Sequence, residues 1–122
     1  MLDHIGIKVT DIDRAKSFYH HALAPLGMSL VMEWENSAGF GTRGKPFFWV
    51  GEVEQMARGA GVHVAFAART RTEVDAFYSA AIRAGGRDNG EPGLRPHYHA
   101  HYYGAFVLDA DGNNIEAVCH TP

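Results

Sequence analysis

Residues 4–27 read HIGIKVTDIDRAKSFYHHALAPLG and residues 63–86 read HVAFAARTRTEVDAFYSAAIRAGG; the second stretch lies over the first without a gap, at an offset of 59. His4 falls on His63, Phe18 on Phe77, Tyr19 on Tyr78, Ala22 on Ala81 and Gly27 on Gly86. Beneath these five identities in 24 positions runs a stronger likeness. Each copy opens with period-2 alternation, passes to apolar residues at helical spacing and stops on glycine. In the first copy Ile5, Ile7 and Val9 share one strand face, while His4, Gly6 and Lys8 take the other. Asp11 or Asp13 offers a carboxylate to the unpaired first-turn amides of a helix that carries Phe18 and Leu23 and ends near Pro25 and Gly27. In the second copy His63 to Ala67 alternates in the same sense. Thr70 and Glu73 have the capping-box spacing ahead of Val74, Phe77, Tyr78, Ala81 and Ile82, and Gly85-Gly86 supplies a left-handed stop.

A strand-rich stretch follows each helix. The first half offers Met28 to Glu33, a Gly-rich hairpin at Gly39 to Gly44 and a strand at Phe47 to Val50. The second offers Tyr102 to Leu108, a turn at Asp109 to Asn113 and a strand at Asn114 to His120, with Gly90 to Pro96 reading as loop. Neither half, at about 60 residues, buries a comfortable core alone, so the two must share a sheet or pack as one unit. The expectation is one α+β domain over residues 1–122 with pseudo-twofold symmetry, module 1 spanning 1–58 and module 2 spanning 59–122, with the boundary near Gly59-Ala60-Gly61.

Composition supports a single folding unit. The chain has 122 residues, 46% hydrophobic and 20% charged, which is ordinary for a soluble globular protein and large enough to fold without a metal or disulfide framework. Eleven Lys and Arg against fourteen Asp and Glu give a net charge of −3, with no basic run, which argues against a nucleic-acid or membrane partner. The single cysteine, Cys119, excludes an internal disulfide, and no stretch approaches the ~20 apolar residues of a membrane span. The opening residues lack a signal-peptide pattern, so the expected compartment is cytoplasmic.

Eight histidines stand out, at 4, 20, 21, 63, 97, 99, 101 and 120. If the halves are related by a local twofold axis, His4 and His63 hold equivalent positions on the strand face away from the helix and look into one cavity. The last strand places Ile115, Ala117 and Cys119 toward the helix and Glu116, Val118 and His120 on that same open side. An ionised carboxylate among apolar neighbours is costly unless paired or bound to a cation, and two imidazoles with one carboxylate suit a divalent first-row metal. His97, His99 and His101 share a face if residues 96–103 are extended, but their loop context favours a solvated or substrate-facing rim over a second metal site. His20 and His21 read as helix surface and Cys119 as a small core residue. No Ser/His/Asp spacing, phosphate loop or dinucleotide fingerprint is present.

The opening HIGIKVTDI through Phe18-Tyr19, the middle GVHVAF and the closing YYGAFVLDADGNNIE resemble the vicinal oxygen chelate superfamily, the group of glyoxalase I, bleomycin-resistance proteins, fosfomycin-resistance enzymes and extradiol dioxygenases. The likeness covers essentially the whole chain. It implies tandem βαβββ modules forming a cupped mixed β-sheet around a metal-bearing cavity, in a homodimer. Its metal ligands carry over onto His4, His63 and Glu116, for one Zn, Ni, Mn or Fe ion. The fourth ligand of glyoxalase I, a Glu or Gln, is replaced by Trp49, with Glu52 three residues along and on the opposite face. Ala110 stands where the family commonly has proline.

The implied function is a metal-dependent lyase, isomerase or dioxygenase acting on a small molecule with two adjacent oxygens, with Lewis-acid chemistry at the metal. Glu116, Tyr103 and His101 are the candidate catalytic groups. Phe47, Trp49, Phe40, Tyr102 and His99 are candidates for substrate contact. The alternative is a metal-free small-molecule or drug-binding protein of the bleomycin-resistance type, which the aromatic residue at the missing ligand position would suit.

Overall fold

Alternating apolar residues make β1 (Ile5–Val9) a strand with one buried face, and the chain then turns into α1 (Ile12–Leu23). Two carboxylates hold the start of that helix: Asp11 Oδ1 accepts from Arg14 N–H at 3.0 Å and Glu52 Oε2 from Ile12 N–H at 2.8 Å. Both satisfy orphan amides where the helix dipole favours negative charge. A 3₁₀ turn at Ala24–Leu26 with Pro25 inside it and Gly27 at φ 81° ends the helix. Three antiparallel strands follow: β2 (Ser29–Trp34), β3 (Ser37–Thr42) and β4 (Lys45–Glu52). The computed structural model describes residues 1–122, and the second half repeats the plan with β5 (His63–Ala67), α2 (Arg71–Arg83), β6 (Arg87–Leu94), β7 (Tyr103–Leu108) and β8 (Asn114–Cys119). Thr70 caps α2 by accepting from Glu73 N–H at 3.1 Å. The Glu73 carboxylate reaches back to Arg69 N–H, one residue before the partner the capping box would give it.

The modules do not share a sheet. Each builds its own four strands, in the orders β1-β4-β3-β2 and β5-β8-β7-β6, with β1–β4 and β5–β8 parallel. The fold is therefore α+β, two tandem βαβββ modules, each a mixed sheet with one helix. Two sequence expectations are corrected. The Gly-rich run 39–44 is mostly strand: Gly39 to Thr42 belong to β3, and the hairpin turn is Arg43-Gly44, both at positive φ (53° and 74°). The stretch read as loop at 90–96 opens as the second half of β6, an outer strand with two register breaks. No helix is long and apolar enough to cross a membrane.

One cluster of 22 buried residues joins both helices to the inner faces of both sheets, and Phe48 of β4 meets Phe66 of β5 edge to face at 5.0 Å. A polar latch adds to it. Buried Asp109, in the turn between β7 and β8, accepts from Tyr19 O–H at 2.5 Å, from Asp111 N–H and Asn113 N–H at 2.9 Å each, and from Asn113 Nδ2 at 2.9 Å. Asn113 also donates to Lys8 O at 3.2 Å and accepts from Val62 N–H at 3.1 Å. The end of β1 and the start of β5 therefore meet at one side chain.

Burial, and then the neighbouring Asp109 charge, raise the Tyr19 phenol well above its ordinary 10.0. A raised native value stabilises the fold fully below the unfolded phenol's pKa and progressively less as pH climbs past it toward the native one. Guanidinium unfolding measured from pH 8 to 11.5 should therefore lose stability above about pH 10, and Tyr19→Phe should remove about 1.4 kcal/mol per pH unit from that slope. An unchanged slope would refute the assignment.

Candidate functional site

The sheet faces away from the helices carry most of the candidate residues. On the second sheet β8 presents Glu116, with Phe106 of β7 directly opposite in register. Glu116 is only 1% exposed, because His63, Phe106 and Tyr102 crowd around it. Its Oε1 lies 2.8 Å from His63 Nε2, and its Oε2 accepts from the Tyr102 hydroxyl. Burial first, then the hydrogen bond to Glu116 and its charge, push the Tyr102 phenol up to about 12, so it remains a proton donor to the carboxylate at neutral pH. His63 is 53% exposed, so this pair opens to solvent on the imidazole side.

His4 stands apart from that pair. Its Nδ1 lies 2.8 Å from Asp3 Oδ1, and Lys45 Nζ lies 3.0 Å from the other Asp3 oxygen. The His4 hydrogen bond, then those of Lys45 and its charge, hold the Asp3 carboxyl below its ordinary value. Binding Nδ1 leaves Nε2 facing outward, the arrangement that orients an imidazole for a ligand. His4 and His63 do border one cleft of about 610 Å³, which Ile5, Phe47 and Val64 also line. No three His, Cys, Asp or Glu side chains of a single chain are grouped to hold a metal ion. The reason is strand direction. Lys8 and Val62 meet at Asn113, so His63 follows that corner directly, whereas His4 stands four extended residues, or roughly 13 Å, back from Lys8.

On the first sheet Trp49 takes the open-face position beside Gly6, as its alternation with Phe48 and Val50 requires. Its indole lies across Gly39, where an added Cβ would come within 2.8 Å of the ring, and Trp34 of β2 stacks on it at 5.5 Å and 15°. Glu52 faces the helix and caps α1, so it is not available as a fourth ligand. Phe47 is half-buried in the cleft wall, whereas Phe40 is fully buried in the core and borders no open site.

Tyr103 also turns inward, its hydroxyl donating to Asp75 of α2 at 2.7 Å; Tyr102 is the tyrosine on the open face. Residues 95–102 form a turned loop rather than an extended segment, with Tyr98 N–H bonded to Arg95 O and Tyr102 N–H to His99 O. His99 and His101 lie exposed on it, His101 N–H donating to His99 Nδ1 at 3.3 Å. Neither reaches Glu116. Two open-face residues had no part in the sequence reading: Trp34, 61% exposed, whose period-2 relation to Met32 was the available signal, and Arg95, which had none.

The sequence profile of the Glyoxalase/Bleomycin resistance protein/Dioxygenase superfamily matches residues 1–117, and the chain belongs to that family. Comparison with curated protein sequences gives no match. Among solved structures the chain is similar to a glyoxalase/bleomycin resistance protein from Albidiferax ferrireducens T118, at 27% identity and a TM-score of 0.84, with 99% of each chain covered. A glyoxalase/bleomycin resistance protein/dioxygenase family enzyme from Burkholderia phytofirmans PsJN shares the fold at 21% identity and a TM-score of 0.77, with 98% of each chain covered. So does the genomically encoded fosfomycin resistance protein FosX from Listeria monocytogenes, at 17% identity and a TM-score of 0.69, covering 99% of this chain and 93% of that one.

Proposed function

We propose that this chain is a divalent-metal-dependent enzyme of lyase, isomerase or dioxygenase type acting on a small oxygen-chelating molecule, with His63 and Glu116 from one chain and His4 from a second copy as the metal ligands. The observation that carries the reading is the His63–Glu116 pair: a carboxylate 1% exposed, on the open sheet face, at 2.8 Å from an imidazole nitrogen. Both oxygens of this carboxylate have protein partners, and a cation taking the place of the proton between Glu116 Oε1 and His63 Nε2 would bind both atoms. The donor types fit Zn, Ni, Mn or Fe. His4 supports the same reading, because Asp3 fixes its Nδ1 and leaves Nε2 to a ligand. When bound, the ion would act as a Lewis acid toward two adjacent substrate oxygens. The residues then divide the remaining work. Tyr102 holds the second oxygen of Glu116 and so fixes which oxygen faces His63. Phe106 dries one side of the pair, and the Trp34–Trp49 stack with Phe47 offers apolar surface to the rest of the substrate.

The test is elemental analysis of untagged protein purified without chelator. About one divalent ion per chain is expected, falling to background in Glu116→Gln and in His63→Ala with unfolding midpoints kept. The stacked, exposed Trp34 on Trp49 favours a second reading, a metal-free protein that binds a flat small molecule. Absence of metal, with none taken up on titration at neutral pH, would overturn the enzyme reading and leave that one standing.

A further inference from the structure

One cation on the open face of the second sheet is held in place without an acid partner. Arg95 belongs to none of the ion pairs of the chain. Its Nη1 donates to Gly93 O at 2.9 Å and its Nη2 to Glu91 O at 2.8 Å, so two backbone carbonyls of β6 clamp the guanidinium. The group lies over the Phe106 ring, 5.4 Å from its centroid. The main chain makes room for it. A Cβ at Gly90 would come within 2.8 Å of the Phe106 ring and 3.2 Å of Nη2, and one at Gly93 within 3.2 Å of Nη1. The two register breaks of β6 fall at these glycines. Arg95 N–H also bonds Tyr102 O at 2.7 Å, which closes the loop that carries Tyr102 to Glu116.

A free arginine side chain gives up conformational entropy to be fixed this way, and a surface cation needs no such fixing merely to be soluble. Two of its five N–H groups are used, and the three that remain can donate to the oxygens of a carboxylate or phosphoryl group. Phe106 separates Arg95 from His63, whose ring lies 6.2 Å from the same aromatic. We infer that Arg95 is an anion anchor, a fixed guanidinium that binds an oxyanion of the substrate while the reacting oxygens lie at the His63–Glu116 pair. The inference rests on the reading of this face as the reaction site, and it narrows the substrate to small molecules bearing a carboxylate or phosphoryl group a ring's width from the reacting end.

The test uses metal-free full-length protein labelled with 15N, titrated separately with inorganic phosphate and with malonate, following the Arg95 Nε–H signal. At least one of the two should shift that signal saturably. Which one does so separates a tetrahedral from a planar oxyanion. Arg95→Gln should weaken the binding, read from the neighbouring backbone amides, at least tenfold; Arg95→Lys should recover part of it, and Arg87→Gln, on the exposed start of the same strand, should leave it unchanged. No shift of the wild-type Arg95 signal with either anion, or equal affinity in folded Arg95→Gln, overturns the anchor. Because no metal is present, this failure is distinct from failure of the metal reading, which metal content alone decides.

Discussion

Mixing metal-free His4→Ala chains with metal-free His63→Ala chains, under conditions where subunits exchange, is expected to restore metal binding that neither variant has alone. The expectation follows from where the strands run. Asn113 joins the end of β1 to the start of β5, so His63 lies next to that corner, His4 roughly 13 Å back from Lys8, and no three ligands gather in one chain. In a twofold dimer with sites between chains, each site takes His4 from one copy and His63 with Glu116 from the other. A mixed dimer then has one site that has lost both histidines and one that is intact. Random exchange makes half of the dimers mixed, so metal content should recover to about a quarter of wild type. Sites within one chain would give no recovery, since every chain lacks one histidine. Native mass spectrometry shows whether mixed dimers have formed, and their presence without bound metal would sink the shared-site reading.

The second large effect is expected on stability. Asp109 gathers four donors in a buried turn, two of them from Asn113, which fastens both modules, and one from Tyr19 on α1. Asp109→Ala removes the acceptor and leaves the Tyr19 phenol, the Asn113 amide and one carboxamide N–H buried without a partner, and the Asp111 amide partly so. An unsatisfied buried donor costs about 1–3 kcal/mol, so losing the shared acceptor is expected to cost about 3–5 kcal/mol in all, which for a domain of this size lowers the melting temperature on the order of 15 °C. Asp109→Asn keeps one carbonyl oxygen and should lose about half as much. Calorimetry checks both. A loss below about 1 kcal/mol in the alanine variant would mean that water satisfies these donors and that the latch contributes little.

What the sequence could convey depended on side-chain period. β1, α1, β5, α2 and β8 were legible because their apolar residues recur at two or at 3.6, and the repeat tied the halves together. β6 was not legible: its RDNGEPGL has two glycines, a proline and three charges, and it pairs through its backbone as an outer, twice-broken strand. The face of Tyr103 was recoverable from its step-of-two relation to Ala105 and Val107, and that of Phe40 from its relation to Ala38; both face the core.

Symmetry was the subtler matter. It put His4, His63 and Glu116 around one cavity; the structure brings His63 and Glu116 together and leaves His4 apart from them. His63 follows the Asn113 corner directly, while its equivalent, His4, lies at the other end of its own strand. Arg95 left no trace in the pattern, because its position is fixed by main-chain carbonyls and by space left at Gly90 and Gly93.

The latch also fixes an order of events during synthesis. Its bonds join residues 90 and 105 positions apart, from Tyr19 to Asp109 and from Lys8 to Asn113. At roughly 5–20 residues per second, the first module waits about 3–10 seconds after its own synthesis before the latch residues have been made. During that interval the inner face of its sheet, Phe48 included, has no second module of its own to pack against. The nearest equivalent belongs to the chain ahead on the same message, so a polysome is the setting in which modules of neighbouring chains can trade places. Slowing translation between residues 60 and 109 is expected to lengthen that interval and raise the yield of interlinked chains.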